Sequence, residues 1–359
     1  MQSQITTINS EKQNVYVGLD VHSKNWKVSI VLNNTVFKTF SQDPCAKTLG
    51  LYLRKNFPGS GYYSAYEAGF SGYSTHRKLQ EEGITNIIVN PADIPTTDKE
   101  RKQKEDKRDS RKIAKALRNG ELEGIYVPSM TSMEFRTLVR FRNTLVKDVS
   151  RNKNRVKSLL KFQGIIIPKE LHSASSRWSA RFTKWLEEEA KFSSDYGNIT
   201  IRSLIEVTKH NRQKLLELTR ILRQIPKDSH YGRLIKLLCT IPGVGLITAV
   251  TIIAEIEDVN RFKTLDKLCS YVGIVPSTNS SGDTETVRGI TPRSNRPLRN
   301  VIIESSWVAV RNNPALAKQY NELCYKMESN KAIIRIAKKM LAIIRYVMKH
   351  EKEYKIDVN

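Results

Sequence analysis

The most constraining feature of this sequence is a short alternating segment, Val15-Tyr16-Val17-Gly18-Leu19-Asp20. Its period of two predicts a β-strand with one face in a core, and this strand delivers the carboxylate of Asp20 at its end. A second alternating run, Lys27 to Leu32, follows after too few residues for a crossover helix, so the two strands are expected to pair antiparallel. An acidic residue at a strand end is ordinary by itself, and its meaning depends on whether other carboxylates reach the same point.

The next elements extend this pair into a sheet. The patterns predict a strand at 35–40, a helix at 46–55, a strand from Tyr62 to Glu67, a helix at 71–82 and a strand at 87–89. Three strands in a meander followed by alternating helices and strands predict a mixed sheet with helices on both faces. We expect this α/β domain to cover residues 14–127, after a disordered lead at 1–13.

A strongly basic block follows at residues 98–119 and contains Lys104-Glu105-Asp106-Lys107-Arg108-Asp109-Ser110. The apolar residues after it have helical spacing, so Asp106 and Asp109 are expected three apart on one helix face. A solvated charged helix is the structural alternative. If these two acids meet Asp20 and Glu67, four clustered carboxylates need cations between them, and oxygen ligands alone favour Mg²⁺ or Mn²⁺.

Residues 128–235 are rich in charge and poor in glycine. Their apolar spacing predicts one long helix from about residue 129, broken at 164–168, and two further helices near 176–192 and 200–225. We interpret the region as an antiparallel helical arm or coiled coil, used for dimerisation or spacing.

Residues 236–359 are expected to form a mainly α C-terminal domain. Near its start, two apolar segments flank Pro242-Gly243-Val244-Gly245, which is the layout of a helix-hairpin-helix. In that interpretation Gly243 and Gly245 let backbone N–H groups approach a DNA phosphate. A turn between two core helices explains the two glycines equally well.

The remainder of this domain combines helices with a polar segment. Helices are predicted at 265–272, 297–311 and 331–349, and a turn-rich polar loop at 276–283. Four arginines lie within twelve residues after that loop: Arg288, Arg293, Arg296 and Arg299. An arginine cluster of this kind suits a phosphate backbone.

The net charge of the chain indicates which class of binding partner to expect. The chain has 60 Lys and Arg against 36 Asp and Glu, a net charge of +24, which indicates a polyanionic partner and most often nucleic acid. We find no apolar run long enough for a membrane span, no signal peptide and no lipidation signal, so a cytoplasmic protein without a membrane partner is expected. The four cysteines are scattered, which argues against a disulfide framework or a cysteine zinc site.

Taken together, these segments resemble the DEDD transposases of the IS110 insertion-sequence family and their relatives, including the Piv-type DNA invertases. In the first domain the resemblance is carried by VYVGLDVHSKNWKVSIV, YEA and KEDKRDSRKIAKAL. In the second it is carried by IPGVGLITA, CSYVGIVPSTNSSGD and RGITPRSNRPLRNVIIES. The resemblance covers about residues 14–125 and 235–315, with a helical arm between them, and implies a RuvC-like RNase H fold for the first domain.

The resemblance also implies roles for individual residues. Asp20, Glu67, Asp106 and Asp109 match the four acidic metal ligands, and Ser281 matches a nucleophilic serine that precedes a glycine, with Ser280 as the close competitor. Nucleic-acid contacts are expected from Lys104, Arg108, Gly243, Gly245, Arg288, Arg293, Arg296 and Arg299. The sequence departs from the family pattern Ile-[ST]-Lys-x-Gly-[ND] at Pro292 and Ser294, which leaves open whether Arg293 or Arg296 replaces its lysine.

The implied function is a transposase that acts as a site-specific recombinase with Mg²⁺ or Mn²⁺. The serine would form a 5′-phosphoserine link to DNA, and a structured non-coding bridge RNA would pair with donor and target DNA. The resemblance implies a homo-oligomer, dimer to tetramer, whose active form is a tetramer with composite sites built from the acidic domain of one subunit and the serine domain of another. Two other functions stay open: a RuvC-like two-metal nuclease or Holliday-junction resolvase without a covalent intermediate, and a non-catalytic nucleic-acid-binding scaffold.

Overall fold

The computed structural model describes residues 13–95, 106–173, 178–225, 229–281 and 284–355. The chain divides into two compact units, and the division lies between Val127 and Pro128. No helix in the described ranges is both long enough and apolar enough to cross a membrane.

A five-stranded mixed sheet forms the centre of the first unit. Its strands are β1 (Asn14–Val21), β2 (Trp26–Leu32), β3 (Thr35–Gln42), β4 (Gly61–Glu67) and β5 (Thr85–Val89), in the spatial order β3-β2-β1-β4-β5. β1 pairs antiparallel with β2 and parallel with β4, which in turn pairs parallel with β5. The predicted mixed sheet is therefore confirmed, and its architecture is consistent with the RNase H-like fold that the resemblance implies.

Helices cover both faces of this sheet, as the sequence predicts. On one face, Val17 and Leu19 of β1 share a core with apolar residues of α1 (Ala46–Asn56) and α2 (Ser74–Glu81). On the other face, Ala65 and Val89 pack against Ile113 of α3 (Asp106–Arg118). Alternate residues of each strand thus face different helices, because strand side chains have a period of two.

Helix α3 lies directly on β1 at Gly18. A Cβ atom at Gly18 would lie 2.0 Å from the backbone oxygen of Ser110 and 2.4 Å from the backbone nitrogen of Ala114. The hydroxyl of Ser110 also lies 2.9 Å from that of Ser29, the β2 residue paired with Gly18. This contact places the helix that begins at Asp106 over the strand that carries Asp20.

The second unit begins with an arm of two long helices, α4 (Met130–Phe162) and α6 (Asp195–Arg223). Val139 of α4 shares a core with Leu222 of α6, whereas Val156 and Leu160 of α4 share another with Ile201 and Ile205 of α6. The two helices therefore run antiparallel. Between them in sequence, α5 (Ala180–Glu188) packs into the second of these cores.

The rest of the second unit is a helical core with one β-hairpin. Its helices are α7 (His230–Leu238), α8 (Leu246–Ile256), α9 (Leu265–Val272), α10 (Arg296–Asn312), α11 (Pro314–Cys324) and α12 (Ser329–His350). α8 is its central helix, since every residue from Ala249 to Ile256 is buried. The hairpin consists of β6 (Pro276–Ser281) and β7 (Thr284–Ile290), which pair antiparallel.

Two predictions for this unit need correction. The predicted polar loop at 276–283 is wrong for residues 276–281, which form β6; a ladder of backbone hydrogen bonds does not require the apolar alternation that the sequence lacks there. Helix α11 was not predicted. Its start is marked by Asn313, whose side chain accepts a hydrogen bond from the Leu316 amide, followed by Pro314 in the first turn.

The Gly18 contact predicts a strong effect of one added methyl group. We expect Gly18→Ala to lower the free energy of unfolding by at least about 2 kcal/mol, because α3 has to move away from β1. Urea unfolding followed by circular dichroism measures this loss. Gly69→Ala is the matched control, because an added Cβ there meets nothing closer than 3.8 Å. Equal stability of the two variants would contradict the packing described here.

Candidate active-site residues and nucleic-acid contacts

Two of the predicted acidic residues are neighbours at the carboxyl edge of the sheet. The parallel register pairs Leu19 with Tyr66, so Asp20 and Glu67 follow as the next positions on adjacent strands. Such strands are about 4.8 Å apart. Gly18 and Ala65 lie two residues earlier and face α3, so the period of two directs Asp20 and Glu67 to that same face.

The other two acidic residues lie in the first turn of α3. Asp106 is the first residue of the helix, and Asp109, one residue before Ser110, is half-buried. The side chains of Asp106 and Arg108, and all of Lys104, lie outside the described residues. Among the described side chains, no three His, Cys, Asp or Glu residues form a group that could hold a metal ion. The complete four-carboxylate site therefore stays a prediction.

A histidine that the sequence analysis did not select contacts one of these acids. His22 Nε2 lies 3.1 Å from Asp20 Oδ2, and the histidine ring is exposed. The ring can donate its Nε2–H to the carboxylate as a neutral tautomer or as imidazolium. The signal in the sequence was the Asp-x-His spacing at a strand end, with Asp20 in β1 and His22 directly after the last strand residue, Val21.

The candidate nucleophile Ser281 is the last residue of β6 and pairs with Thr284, the first residue of β7. Its backbone therefore lies at the turn end of the hairpin. The side chains of Ser281, Ser280 and Arg288 lie outside the described residues. Their predicted roles stay predictions.

The two glycines before α8 have different surroundings. Gly243 has a φ of +86°, and a Cβ there would lie 2.3 Å from the backbone oxygen of Ser305 in α10. Gly245 precedes α8 as its N-cap residue and has no atom within 4 Å of an added Cβ. Close packing of α10 explains Gly243, which favours the core-turn interpretation there. Only Gly245 has the open space that an approaching phosphate needs.

The arginine cluster divides into exposed and structural members. Arg293 and Arg296 are exposed. Arg299 is half-buried, and its guanidinium donates hydrogen bonds to the backbone oxygens of Thr291 at 2.9 Å and Gly273 at 3.3 Å. Arg299 thus holds the segment between β7 and α10, a role that no local sequence pattern indicated.

The segment between β7 and α10 is also held by the buried carboxylate of Glu255, which binds Asn295. Glu255 of α8 is fully buried and accepts two hydrogen bonds of 2.7 Å from Arg140 of the arm helix α4. It also accepts one of 2.8 Å from Asn295, whose own side-chain oxygen accepts from the Leu298 amide at the start of α10. Glu255 is buried whereas Arg140 is half exposed, so removing Arg140 or Asn295 would leave the buried carboxylate with fewer partners, and these contacts join the arm to α10.

Two protein-family models match this chain. The model described as "Transposase IS116/IS110/IS902 family" matches residues 235–321, a range that includes Ser281. A DEDD model of IS110 type, described as "Transposase", matches residues 17–164, a range that includes all four predicted acidic residues.

Curated relatives agree with these matches. The y4qE protein of Sinorhizobium fredii, provisionally named a transposase, is 30% identical over 76% of this chain and 64% of its own length. The chain thus spans slightly less than two thirds of y4qE. The transposase for insertion sequence element IS1533 of Leptospira borgpetersenii is 24% identical over 82% of this chain and 85% of its own. The transposase for IS1111A of Coxiella burnetii is 22% identical over 78% and 76%.

The different surroundings of Gly243 and Gly245 predict different effects of an added methyl group on stability. We expect Gly243→Ala to lower the free energy of unfolding by about 2–4 kcal/mol, since it combines a clash with a strained positive φ. Gly245→Ala is the control, with an expected loss within about 1 kcal/mol. Urea unfolding of both full-length variants tests this. A Gly243→Ala variant with unchanged stability and weakened DNA binding would instead support the phosphate-binding turn.

Proposed function

Because this chain belongs to the IS110 family of DEDD transposases, we propose that it breaks and joins DNA strands during the movement of an insertion sequence. One observation carries the proposal: Asp20 and Glu67 are neighbours on the sheet face that is covered by the helix beginning at Asp106. The net charge of +24 supports a polyanionic substrate such as DNA.

We infer that the four acidic residues Asp20, Glu67, Asp106 and Asp109 hold one or two divalent cations. The donor set contains only carboxylate oxygens, which suit Mg²⁺ and Mn²⁺. The described residues fit this role, because two of the carboxylates leave the sheet on one face and the Gly18 contact holds α3 against that face. Bound cations would stabilise negative charge on a phosphate that is being cleaved. His22 would orient the Asp20 carboxylate through its hydrogen bond.

Ser281 is the proposed nucleophile. Its Oγ would attack a DNA phosphorus, so that an Oγ–P bond forms and the P–O3′ bond breaks. The proton lost by the serine balances the proton gained by the leaving 3′-oxygen, which becomes a free hydroxyl. Attack on the phosphoserine by the 3′-hydroxyl of another strand would reverse the step and complete an exchange. The exposed Arg293 and Arg296, in the segment after β7, would neutralise phosphate charge.

The proposed partners are donor DNA, target DNA and a structured non-coding bridge RNA. If RNA pairing selects the target sequence, the protein itself needs mainly phosphate and shape contacts, which its positive charge supports. We propose a homo-oligomer, from dimer to tetramer, and the arm formed by α4 and α6 offers an elongated surface for its assembly.

Removing one acidic ligand should stop catalysis and spare binding. We expect Asp20→Asn to lower Mg²⁺-dependent strand cleavage at least about 100-fold, because a neutral amide no longer supports a cation beside the phosphate. The substrate is labelled DNA carrying the ends of the element that encodes this chain, with RNA transcribed from its non-coding segment. Asp43→Asn, an equal charge change at an exposed residue of the same unit, is the control. Unchanged cleavage by Asp20→Asn would overturn the metal-ligand role of Asp20, whereas DNA binding by the wild-type protein with no Mg²⁺-dependent cleavage would favour the non-catalytic scaffold.

The serine mechanism has its own test. With the same DNA and RNA, we expect wild-type protein to form a covalent adduct that survives denaturing electrophoresis, and Ser281→Ala to form none, because the Oγ–P bond cannot be made. Ser280→Ala is the neighbouring control and should retain the adduct. Strand exchange by a variant that lacks both hydroxyls would exclude the serine step, whereas cleavage without exchange by that variant would favour the two-metal nuclease.

A further inference from the structure

Phe70 is a prominently exposed aromatic residue on the loop that follows Glu67. It is 70% exposed, more than Phe37 at 47% or Leu51 at 55%, the other large apolar side chains that are exposed in the described part of the first unit. Phe37 contacts the ring of Phe57 at 5.2 Å. Within the described ranges, the ring of Phe70 has no comparable aromatic or cation contact.

The loop that carries Phe70 is attached to the sheet and to α2. The buried Tyr66 donates its hydroxyl hydrogen to the backbone oxygen of Gly72 at 2.9 Å and accepts a hydrogen bond from the His76 amide at 3.1 Å. Within the loop, the Gly72 amide donates to the backbone oxygen of Gly69 at 3.1 Å. Phe70 therefore lies on a turn that leaves β4 directly after Tyr66 and whose far end is bound by the hydroxyl of that buried tyrosine.

The position of this loop connects it to the candidate acidic site. Phe70 is three residues past Glu67, so the two Cα atoms are at most about 10 Å apart. The adjacent turn between β1 and β2 starts from the same edge of the sheet and contributes His22 and the exposed Lys24. An exposed ring thus lies within about 10 Å, between Cα atoms, of Glu67, at the edge of the sheet where a phosphate is proposed to bind.

We propose that Phe70 stacks on an unpaired nucleobase next to the phosphate at the acidic edge of the sheet. This inference rests on the proposed function, because strand exchange requires bases to leave one duplex before they pair elsewhere. Aromatic side chains bind such bases by stacking, without regard to sequence, since every base has a π-face. A ring held beside the phosphate site would keep the strand unpaired at the cleaved position.

The test uses full-length protein with Ca²⁺ in place of Mg²⁺, so that cations still occupy the acidic edge while binding is measured without cleavage. The probes are a short single-stranded DNA with one central 2-aminopurine and the fully paired duplex of the same sequence. We expect Phe70→Leu to weaken single-strand binding roughly 5- to 100-fold and to remove the quenching of 2-aminopurine, because leucine has no π-face. Duplex affinity should stay unchanged. Phe70→Tyr keeps a ring and should behave like wild type.

Phe37→Leu is the matched control, since it removes an exposed ring from the same unit but away from this loop, and circular dichroism verifies folding of all variants. Single-strand binding by Phe70→Leu at wild-type strength would overturn the stacking role. So would equal weakening for single strand and duplex, which would indicate backbone or groove contact instead. Either result leaves the Asp20 test untouched, whereas failure of that test would overturn the proposed chemistry and not the stacking measurement.

Discussion

The contact between Gly18 and helix α3 is the constraint on which the candidate acidic site depends. Asp20, Glu67 and the pair on α3 come from three distant segments of the chain, and β-sheet register alone brings only the first two together. Side chains normally separate the backbone of a helix from the backbone of the sheet on which it packs. Here the missing Cβ at Gly18 lets the backbone of Ser110 approach the strand directly. The helix that starts at Asp106 is thereby held close to the strand ends.

In the second unit, the buried carboxylate of Glu255 fixes the positions of the helices around it. Glu255 sits in the most apolar helix of the core, where an unpaired carboxylate would be very costly, so Arg140 and Asn295 are required to be in place. Such a network specifies one arrangement of α4, α8 and α10. Arg299 adds a second restraint by binding two backbone oxygens. The exposed Arg293 and Arg296 therefore stand on a segment with little freedom to move.

Much of this architecture could be predicted from local patterns, and the failures have physical causes. The apolar residues that alternate in β1, and those with helical spacing in the arm, are largely the buried ones, so these elements could be predicted from the sequence. The hairpin of β6 and β7 was missed because its first strand consists of Pro, Ser, Thr and Asn, which are equally typical of loops. The role of Gly243 depends on its packing against α10, and the role of Arg299 depends on the backbone oxygens that it binds. The local sequence around each residue does not reveal these contacts. The Asp20–His22 contact is local, between residues two apart at a strand end, so the Asp-x-His spacing in the sequence could have indicated it.

The antiparallel register of α4 and α6 has a consequence for how this chain can vary in length. Val156 and Leu160 keep their apolar partners Ile201 and Ile205 only if both helices have the same number of turns between base and tip. A deletion in one helix has to be matched in the other, in steps of about 5.4 Å per turn. Insertions and losses in this region are therefore expected to come in compensating pairs, on opposite sides of the tip.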